Sequence, residues 1–498
     1  MSGLLLRPDW NVVPSLRPWV ERLAPHLDGT RSLTDLTADL ESPQREHVER
    51  LLSALLRQGV VREITDLPHG LSADELAEFA PEIELAGSPH AFEKWRRGRT
   101  FVVGEGRLAT AVARALRQSG VRHVDIVGLI SLVRGADLVL HVADRPMVDR
   151  AHRLDRAHEG VWHAMITGGA AWLADCADPW TRLGDQAPRT VSAVAVTVAA
   201  NQFVQHIFRV VTGAVPLSRK AIRVDLDGLW TTEHGFLRSG APRDRIEQLT
   251  DEEFSRRIAP LVDEWLGVLH ELDEHDFTQS PLHVTRARVG DEHVVGSALD
   301  FARARYDAAL RGLELYAARR EGVPAFAGYS WKESVTAGLV ARCRTLTVAE
   351  PPGLFPAVDP ATLPEAGPYV TLLKATGLPL EVYDVTGSLG VPTFACCLDG
   401  RTVAYGCGVT AAEALRDGLH DTLLSYQATK NGEPYAPPPV PDLPPAARGP
   451  VQPVRTRAVH DARTLIKALE GQGHHVSVEA LDAGLHEVMP FLVTVVIT

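Results

Sequence analysis

Cysteine is scarce in this chain: five in 498 residues, at positions 176, 343, 396, 397 and 407, with no pair of CxxC motifs. That excludes a disulfide framework and a zinc ribbon built on paired thiolates. Basic residues are in deficit, 51 Lys and Arg against 63 Asp and Glu, for a formal net charge of -12. A non-specific nucleic-acid binder needs the opposite balance to displace counterions. No run approaches the roughly 20 apolar residues that span a bilayer. The start, Met1-Ser2-Gly3-Leu4-Leu5-Leu6-Arg7-Pro8, has no basic segment followed by a signal-length apolar stretch. The cytoplasm is the expected compartment, with neither membrane nor nucleic acid as partner. What is present suits a chain with real cores: 45% hydrophobic and 23% charged residues. Its length suits roughly two to four domains.

Residues 16 to 59 carry three helical stretches with clear punctuation. Leu16, Trp19, Val20, Leu23 and Leu27 fall on one stripe, stopped by Asp28-Gly29. Ser32 can cap a second helix, with Asp35 at the capping-box position. Ser42-Pro43 opens a third, where the missing proline N–H costs nothing. Val48, Leu51, Leu52, Leu55 and Leu56 form its apolar face as far as Gly59. Val60-Val61-Arg62-Glu63-Ile64 then reads as a short strand. Three helices and a strand predict a winged-helix module over residues 1–68. Such modules often read DNA, but this third helix shows Arg45, Glu46, His47, Glu49, Arg50 and Arg57, a mixed face rather than a phosphate-binding one. DNA reader, structural cap and peptide reader all stay open on these residues.

Phe101-Val102-Val103 is a strand, followed by Gly104-Glu105-Gly106-Arg107-Leu108-Ala109 and a helix carrying Leu108, Val112, Ala115 and Leu116. The strand Val121–Val127 comes next. This is GxGxxA in a strand–turn–helix context, with Asp125 about 20 residues onward as a dinucleotide turn expects. Gly104 and Gly106 are therefore candidate nucleotide-turn residues. A further strand, Asp137–Val142, ends at Asp144-Arg145-Pro146, and Val191–Phe208 leads on to Arg223–Leu226. The pattern supports a doubly wound α/β domain over residues 90–245 more firmly than any bound nucleotide. Near the end, Pro434 to Pro453 is proline-rich and reads as an extended linker spanning 431–456. Helix Ala462–Leu469 and strands His475–Val478 and Phe491–Ile497 then form a small extension, 457–498. The two histidines of His270-Glu271-Leu272-Asp273-Glu274-His275 are five apart, off the shared face of an HExxH helix, and predict solvated helix surface.

In order along the chain, these segments resemble the fused cyclodehydratases of azole-forming ribosomal-peptide pathways, thiopeptides and linear azole peptides included. Leu27-Asp28-Gly29-Thr30-Arg31-Ser32-Leu33 and Leu55-Leu56-Arg57-Gln58-Gly59-Val60-Val61 are similar to the leader-recognition element of that family. There an extended leader adds a strand to a small sheet and packs against the third helix. The resemblance implies a short receiving sheet, with only Leu4–Leu6 and Asn11–Val13 available as strands before the first helix, and leader contacts from Val12, Val13, Val48, Leu51, Leu52, Leu55 and Leu56. The middle segment resembles the ThiF-like adenylation fold, without the cysteine pair that often ends it: neither Phe236–Pro242 nor Ile166–Ala170 supplies one.

From about Ile258 the chain resembles the YcaO family. The resemblance rests on Leu261-Val262-Asp263, Gly267-Val268-Leu269, Pro281-Leu282, Ala298-Leu299, Ala308–Tyr316, Leu380–Thr386, Gly390–Ala395, Gly406-Cys407-Gly408 and the helix after it. YcaO enzymes bind ATP and magnesium and phosphorylate a backbone amide oxygen after a Cys, Ser or Thr side chain has attacked the carbonyl. Their glutamates come in Glu-x-x-Glu pairs, one helical turn apart, as hard ligands for magnesium. Here Arg311 replaces one and only Glu314 remains; Ala341 and Arg344 fill the second pair; Asp421 stands where a later glutamate would.

The fold class expected is therefore α/β and α+β multidomain, with a degenerate YcaO-like domain over 255–430. Gly104, Gly106, Arg311, Glu314 and Asp421 would be a vestigial nucleotide site. On this reading the chain is a pseudoenzyme with no catalytic residue, no metal and no cofactor of its own. It would hold the precursor leader for a separate catalytic YcaO protein carrying ATP and magnesium, alongside a flavin-dependent azoline dehydrogenase and a second copy of itself. Two alternatives remain: a self-sufficient ATP-dependent cyclodehydratase, remodelled so that arginines bind phosphate directly, and a winged-helix DNA-binding regulator.

Overall fold

The first strand, β1 (Ser2–Leu6), pairs antiparallel with β2 (Val61–Thr65), Leu4 opposite Glu63. Between them lie the helices Arg17–Leu23, Leu33–Thr37 and α1 (Ser42–Arg57). The capping box forms as expected: the Asp35 N–H donates to Ser32 Oγ at 3.1 Å, and the Ser32 N–H donates to the Asp35 carboxylate at 3.0 Å. The stripe of α1 turns inward. Leu52 and Leu55 are fully buried in a core with Leu4, Val20, Leu27, Leu51, Val60 and Val61. This computed structural model describes all residues except 1, 7–16, 28–30, 58–59, 66–68, 129–132, 146, 184–190, 219, 239–245, 351–352, 453–460, 483 and 487. The expected strand Asn11–Val13 lies outside the described residues, as does the Ser239–Pro242 stretch.

The chain divides into two units, Met1–His234 and Gly235–Thr498. The first is centred on a seven-stranded sheet. Its strands are β3 (Arg99–Val103), β4 (His123–Val127), β5 (Leu138–Ala143), β6 (Trp162–Thr167), β7 (Ala170–Ala174), β8 (Lys220–Asp225) and β9 (Thr231–Gly235), in the order β4-β3-β5-β6-β7-β8-β9. The first four in that order run parallel; β7 is antiparallel to both its neighbours. Helix α2 (Arg107–Gln118) follows β3. Helix α3 (Ala193–Val211) is long and apolar enough to cross a bilayer, with a mean hydropathy of 1.2, which corrects the reading that no run approaches that length. Ala195, Val196, Ala199, Phe203, Val204 and Ile207 bury its inner face in the α/β core, which accounts for its composition. Three helices upstream, Ala73–Glu78, Ala80–Ala86 and Pro89–Arg97, belong to the same core through Leu76, Ala86, Phe92 and Trp95, so the α/β part starts near Gly70 and not at 90.

In the second unit β10 (Glu271–Asp273), β11 (His283–Val289) and β12 (Glu292–Ala298) form an antiparallel sheet under helix α4 (Phe301–Glu321). The His270–His275 stretch is thus an edge strand and not a helix surface: Glu271 sits between Arg286 and Arg288 of β11, and those cross-strand pairs decide its conformation. A short β13 (Phe326–Ala327) leads to helix α5 (Trp331–Ala349). Then β14 (Phe355–Val358), β15 (Leu380–Asp384), β16 (Thr393–Leu398) and β17 (Arg401–Cys407) build a second sheet under helix α6 (Ala411–Asn431). Its fifth strand, β18 (Arg448–Gln452), lies parallel to β14. The last strands, β19 (Val476–Ala480) and β20 (Leu492–Ile497), close a third sheet in the order β13-β20-β19.

The linker expected over 431–456 is corrected by its packing. Tyr435, Leu443 and Ala447 are buried, and β18 is a sheet member. Glycine fixes how closely the helices approach. A Cβ at Gly296 would fall 2.0 Å from the Ala308 backbone of α4, and one at Gly406 2.0 Å from Ala414 of α6. No side chain fits at either contact, so α4 and α6 are seated at fixed depth on their sheets.

Candidate active site

The glycine-rich turn of the first unit is already filled from within. Gly106 holds a φ of 103°, and the first N–H groups of α2 point at a carboxylate: Asp144 Oδ2 accepts from the Arg107 N–H at 3.0 Å and Oδ1 from the Leu108 N–H at 2.9 Å. A helix N-terminus after such a turn is where a nucleotide phosphate would sit. Here Asp144 takes that place. Asp125 stays exposed, facing Arg99 at 3.7 Å. Of the leader-binding candidates, Leu51, Leu52 and Leu55 are core residues, whereas Val48 and Leu56 are only partly buried; Val12 and Val13 lie outside the described residues.

The remaining candidates converge. A cavity of about 1080 Å³ in the second unit is lined by three helices and a proline strap. Helix α4 contributes Asp307, Arg311 and Glu314, one turn apart on one face. Helix α5 adds Ala341 and Arg344, and α6 adds Arg416, Asp417 and Asp421. Every second-unit position singled out in the sequence for a lost glutamate therefore faces one space. Gly104 and Gly106 belong to the first unit and do not line it. Sequence reasoning missed Asp307, Arg416, Asp417 and the strap Pro434–Pro438. Asp417 lies one turn before Asp421 on α6, and that spacing was available as a signal.

Arg311 sits deep in the molecule, yet its side chain is 44% accessible because it opens on the cavity. Its Nε donates to Asp307 at 3.1 Å. Burial works against its charge, and Asp307, Asp421 and Glu314 outweigh that. Glu314 accepts the Ala327 N–H at 2.8 Å. Burial pushes its carboxyl up to about 7, against that hydrogen bond and the Arg311 charge. Arg416 donates through Nε and Nη2 to Asp417 Oδ1 at 3.0 and 2.9 Å, and burial holds the Asp417 carboxyl above the ordinary carboxylate range. Arg344 makes no hydrogen bond or ion pair among the described residues. It also borders, with Asp421, an adjoining recess of about 330 Å³ walled by Val348, Val403, Tyr405, Pro437, Pro438, Val440 and Pro441.

The strap is pinned at several points. The Gln427 amide donates to Tyr435 Oη at 3.1 Å, the Tyr405 hydroxyl to the Pro441 carbonyl at 3.0 Å, and the Thr402 N–H to Asp442 at 2.9 Å. The buried cysteines offer no nucleophile, since burial raises the thiols of Cys343, Cys396, Cys397 and Cys407, that of Cys343 to about 12.

Magnesium is held in nucleotide sites by one or two carboxylates together with phosphate oxygens and water. Among the described residues no group of three or more His, Cys, Asp or Glu side chains is placed to hold a metal ion. Asp307 and Asp417 are held by arginines, Glu314 and Glu333 by backbone N–H groups, and Asp421 faces His420 Nδ1 at 3.2 Å. The donor set does not fit a metal–triphosphate.

A heterocyclase solved with substrate and cofactor matches 99% of this chain and 94% of its own, at a TM-score of 0.60 and 15% identity. The heterocyclase TruD matches 100% of this chain and 94% of its own, at 0.55 and 13%. The chain has the heterocyclase fold. No protein-family model and no curated protein matches it. The end-to-end likeness corrects the expectation of a pseudoenzyme, because over almost its whole length the chain keeps the architecture of enzymes.

Proposed function

We propose that this protein is an ATP-dependent heterocyclase that forms azolines from Cys, Ser or Thr in a ribosomal precursor peptide, with its reacting centre in the second-unit cavity. One observation carries the reading: on a heterocyclase architecture, three helices aim Arg311, Glu314, Arg344, Arg416 and Asp421 into one space. The side-chain thiol or hydroxyl adds to the preceding carbonyl carbon, and that carbonyl's oxygen takes the terminal phosphoryl group of ATP. Phosphate then leaves with this oxygen as the ring C=N forms, and the balance is ADP, phosphate and a peptide lighter by one water. Glu314, held near 7, is suited to take the nucleophile's proton at neutral pH. Arginines are suited to the charge that gathers on phosphoryl oxygens.

The precursor's leader is assigned to the N-terminal module, which raises the effective concentration of the reacting segment to the order of millimolar. The β1–β2 sheet and the partly buried Val48 and Leu56 of α1 are the features that suit an added strand. The azoline product is a substrate for a flavin-dependent dehydrogenase. The test is incubation of the full chain with ATP and a candidate precursor, read by mass spectrometry. Loss of one water per ring, with stoichiometric ADP and no second protein, supports the reading; an unaltered peptide beside intact ATP refutes it.

A further inference from the structure

The absence of a metal-ligand set among the described residues has a positive counterpart in the same cavity, and it rests on the nucleotide reading above. We propose that the cavity binds the polyphosphate chain of its nucleotide directly on Arg344, Arg311 and Arg416, without a divalent cation.

Three observations support this. The acids near the arginines each have a partner: Asp307 accepts from Arg311 and from the Ser297 N–H at 3.2 Å, Asp417 accepts from Arg416 Nε and Nη2, Glu314 accepts the Ala327 N–H, and Asp421 faces His420 Nδ1 at 3.2 Å. A magnesium nucleotide is ordinarily held by one or two carboxylates beside its own phosphates and water, and here those acids are already engaged. Second, Arg344 faces the space with no partner among the described residues, at the border between the polar cavity and the apolar recess. A guanidinium offers a planar fork of donors that matches phosphate oxygens bidentately and stays charged at any working pH. Third, the arginines are backed by rigid elements. Arg311 is braced by an i,i+4 contact on α4, whose depth Gly296 sets, and Arg416 lies on α6, seated by Gly406. The apolar recess beside Arg344 suits the flat, weakly polar base of a nucleotide whose phosphates lie on the arginine side.

The experiment titrates the full chain with ATP and with inorganic tripolyphosphate, each in excess chelator and again with saturating magnesium, by isothermal calorimetry. ATP should bind in chelator within about threefold of its magnesium affinity, tripolyphosphate should compete, and affinity should fall as salt rises. Arg344→Ala should weaken binding by about tenfold or more, the loss expected of one charge-assisted contact. Arg344→Lys keeps the charge without the fork and should recover part of it; equal melting temperatures for the two variants separate binding from folding. Binding only with magnesium overturns the proposal, and so does an Arg344→Ala variant that binds as tightly as the native chain, or no binding of either probe. Metal-free binding on Arg344 with a precursor that never loses water would refute the heterocyclase reading alone. Rings formed and ATP bound only with magnesium would refute this inference alone.

Discussion

Glu314, half-buried on the cavity wall, and His141, fully buried, are two titratable groups whose environments push them in opposite directions. The Glu314 carboxyl stands at about 7 against an ordinary 4.5, so in the folded state it gives up its proton reluctantly. Stability from this group is complete below pH 4.5 and is lost as pH rises through about 7. Glu314→Gln keeps an oxygen for the Ala327 N–H and removes the titration. It should melt higher than the native chain at pH 8, match it at pH 4.5, and form no rings. Equal melting curves at pH 8 would show that the burial is relieved in solution. His141 is the reverse case. Its Nδ1 lies 3.2 Å from His163 Nδ1, and His163 Nε2 lies 2.7 Å from Asp155. The His163 ring thus stands between Asp155 and His141, and His141 Nε2 is left buried with no hydrogen-bond partner among the described residues. Burial, with the nearby His163 and Arg150, drives His141 down to about 3. Such residues were legible in the sequence only as types. Burial and partner come from the strands that meet, and spacing along the chain does not show them.

At the scale of elements, the cap on α2 and the stripe on α1 can each be tested by one side chain. Asp144→Ala should cost about 1 kcal/mol through the lost N-cap bonds, measured by denaturant unfolding of the first unit's transition; no change would mean the carboxylate does not hold the helix. On α1, Leu52→Ala should cost about 2–5 kcal/mol because the residue is fully buried. Leu56→Ala should leave the melt nearly unmoved while weakening capture of a labelled leader peptide by severalfold. A leader that binds Leu56→Ala unchanged would take the peptide off this face. The sequence made the Ser32 capping box and the strand–turn–helix at Gly104 readable because both are written in residues three or four apart. It hid the strand at Glu271–Asp273, whose partners Arg286 and Arg288 stand 15 and 17 positions onward. It hid the strap equally, since the composition of Pro434–Pro441 is the same whether the segment spans open water or lies against Tyr405.

For the whole molecule, the two pH responses belong to different units and carry opposite signs. His141 makes the first unit lose stability below pH 6.5, by up to about 1.4 kcal/mol per pH unit. Glu314 makes the second unit lose it as pH approaches 7 from below. Scanning calorimetry should therefore resolve transitions that shift in opposite directions between pH 5 and 8, and His141→Phe should remove the acid-side shift. Transitions moving together would contradict the assignment. The order of parts was legible along the chain: small helical module, α/β sheet, carboxylate-bearing helices. What the motifs concealed was how the altered positions of the last part are placed. Replacement of glutamate by arginine at 311 and 344 looks like decay in one dimension, and only the shared cavity shows these residues placed together with Asp421.

The pinned run over that cavity has a mechanical corollary. Proline rings at 434, 437 and 438 line one wall of the space, with hydrogen bonds holding Tyr435 and Pro441 nearby, and proline holds its backbone to a narrow range of angles. That wall is stiff where the helical walls carry long, jointed side chains, so whatever enters must fit the prolines while the arginines can swing to meet it.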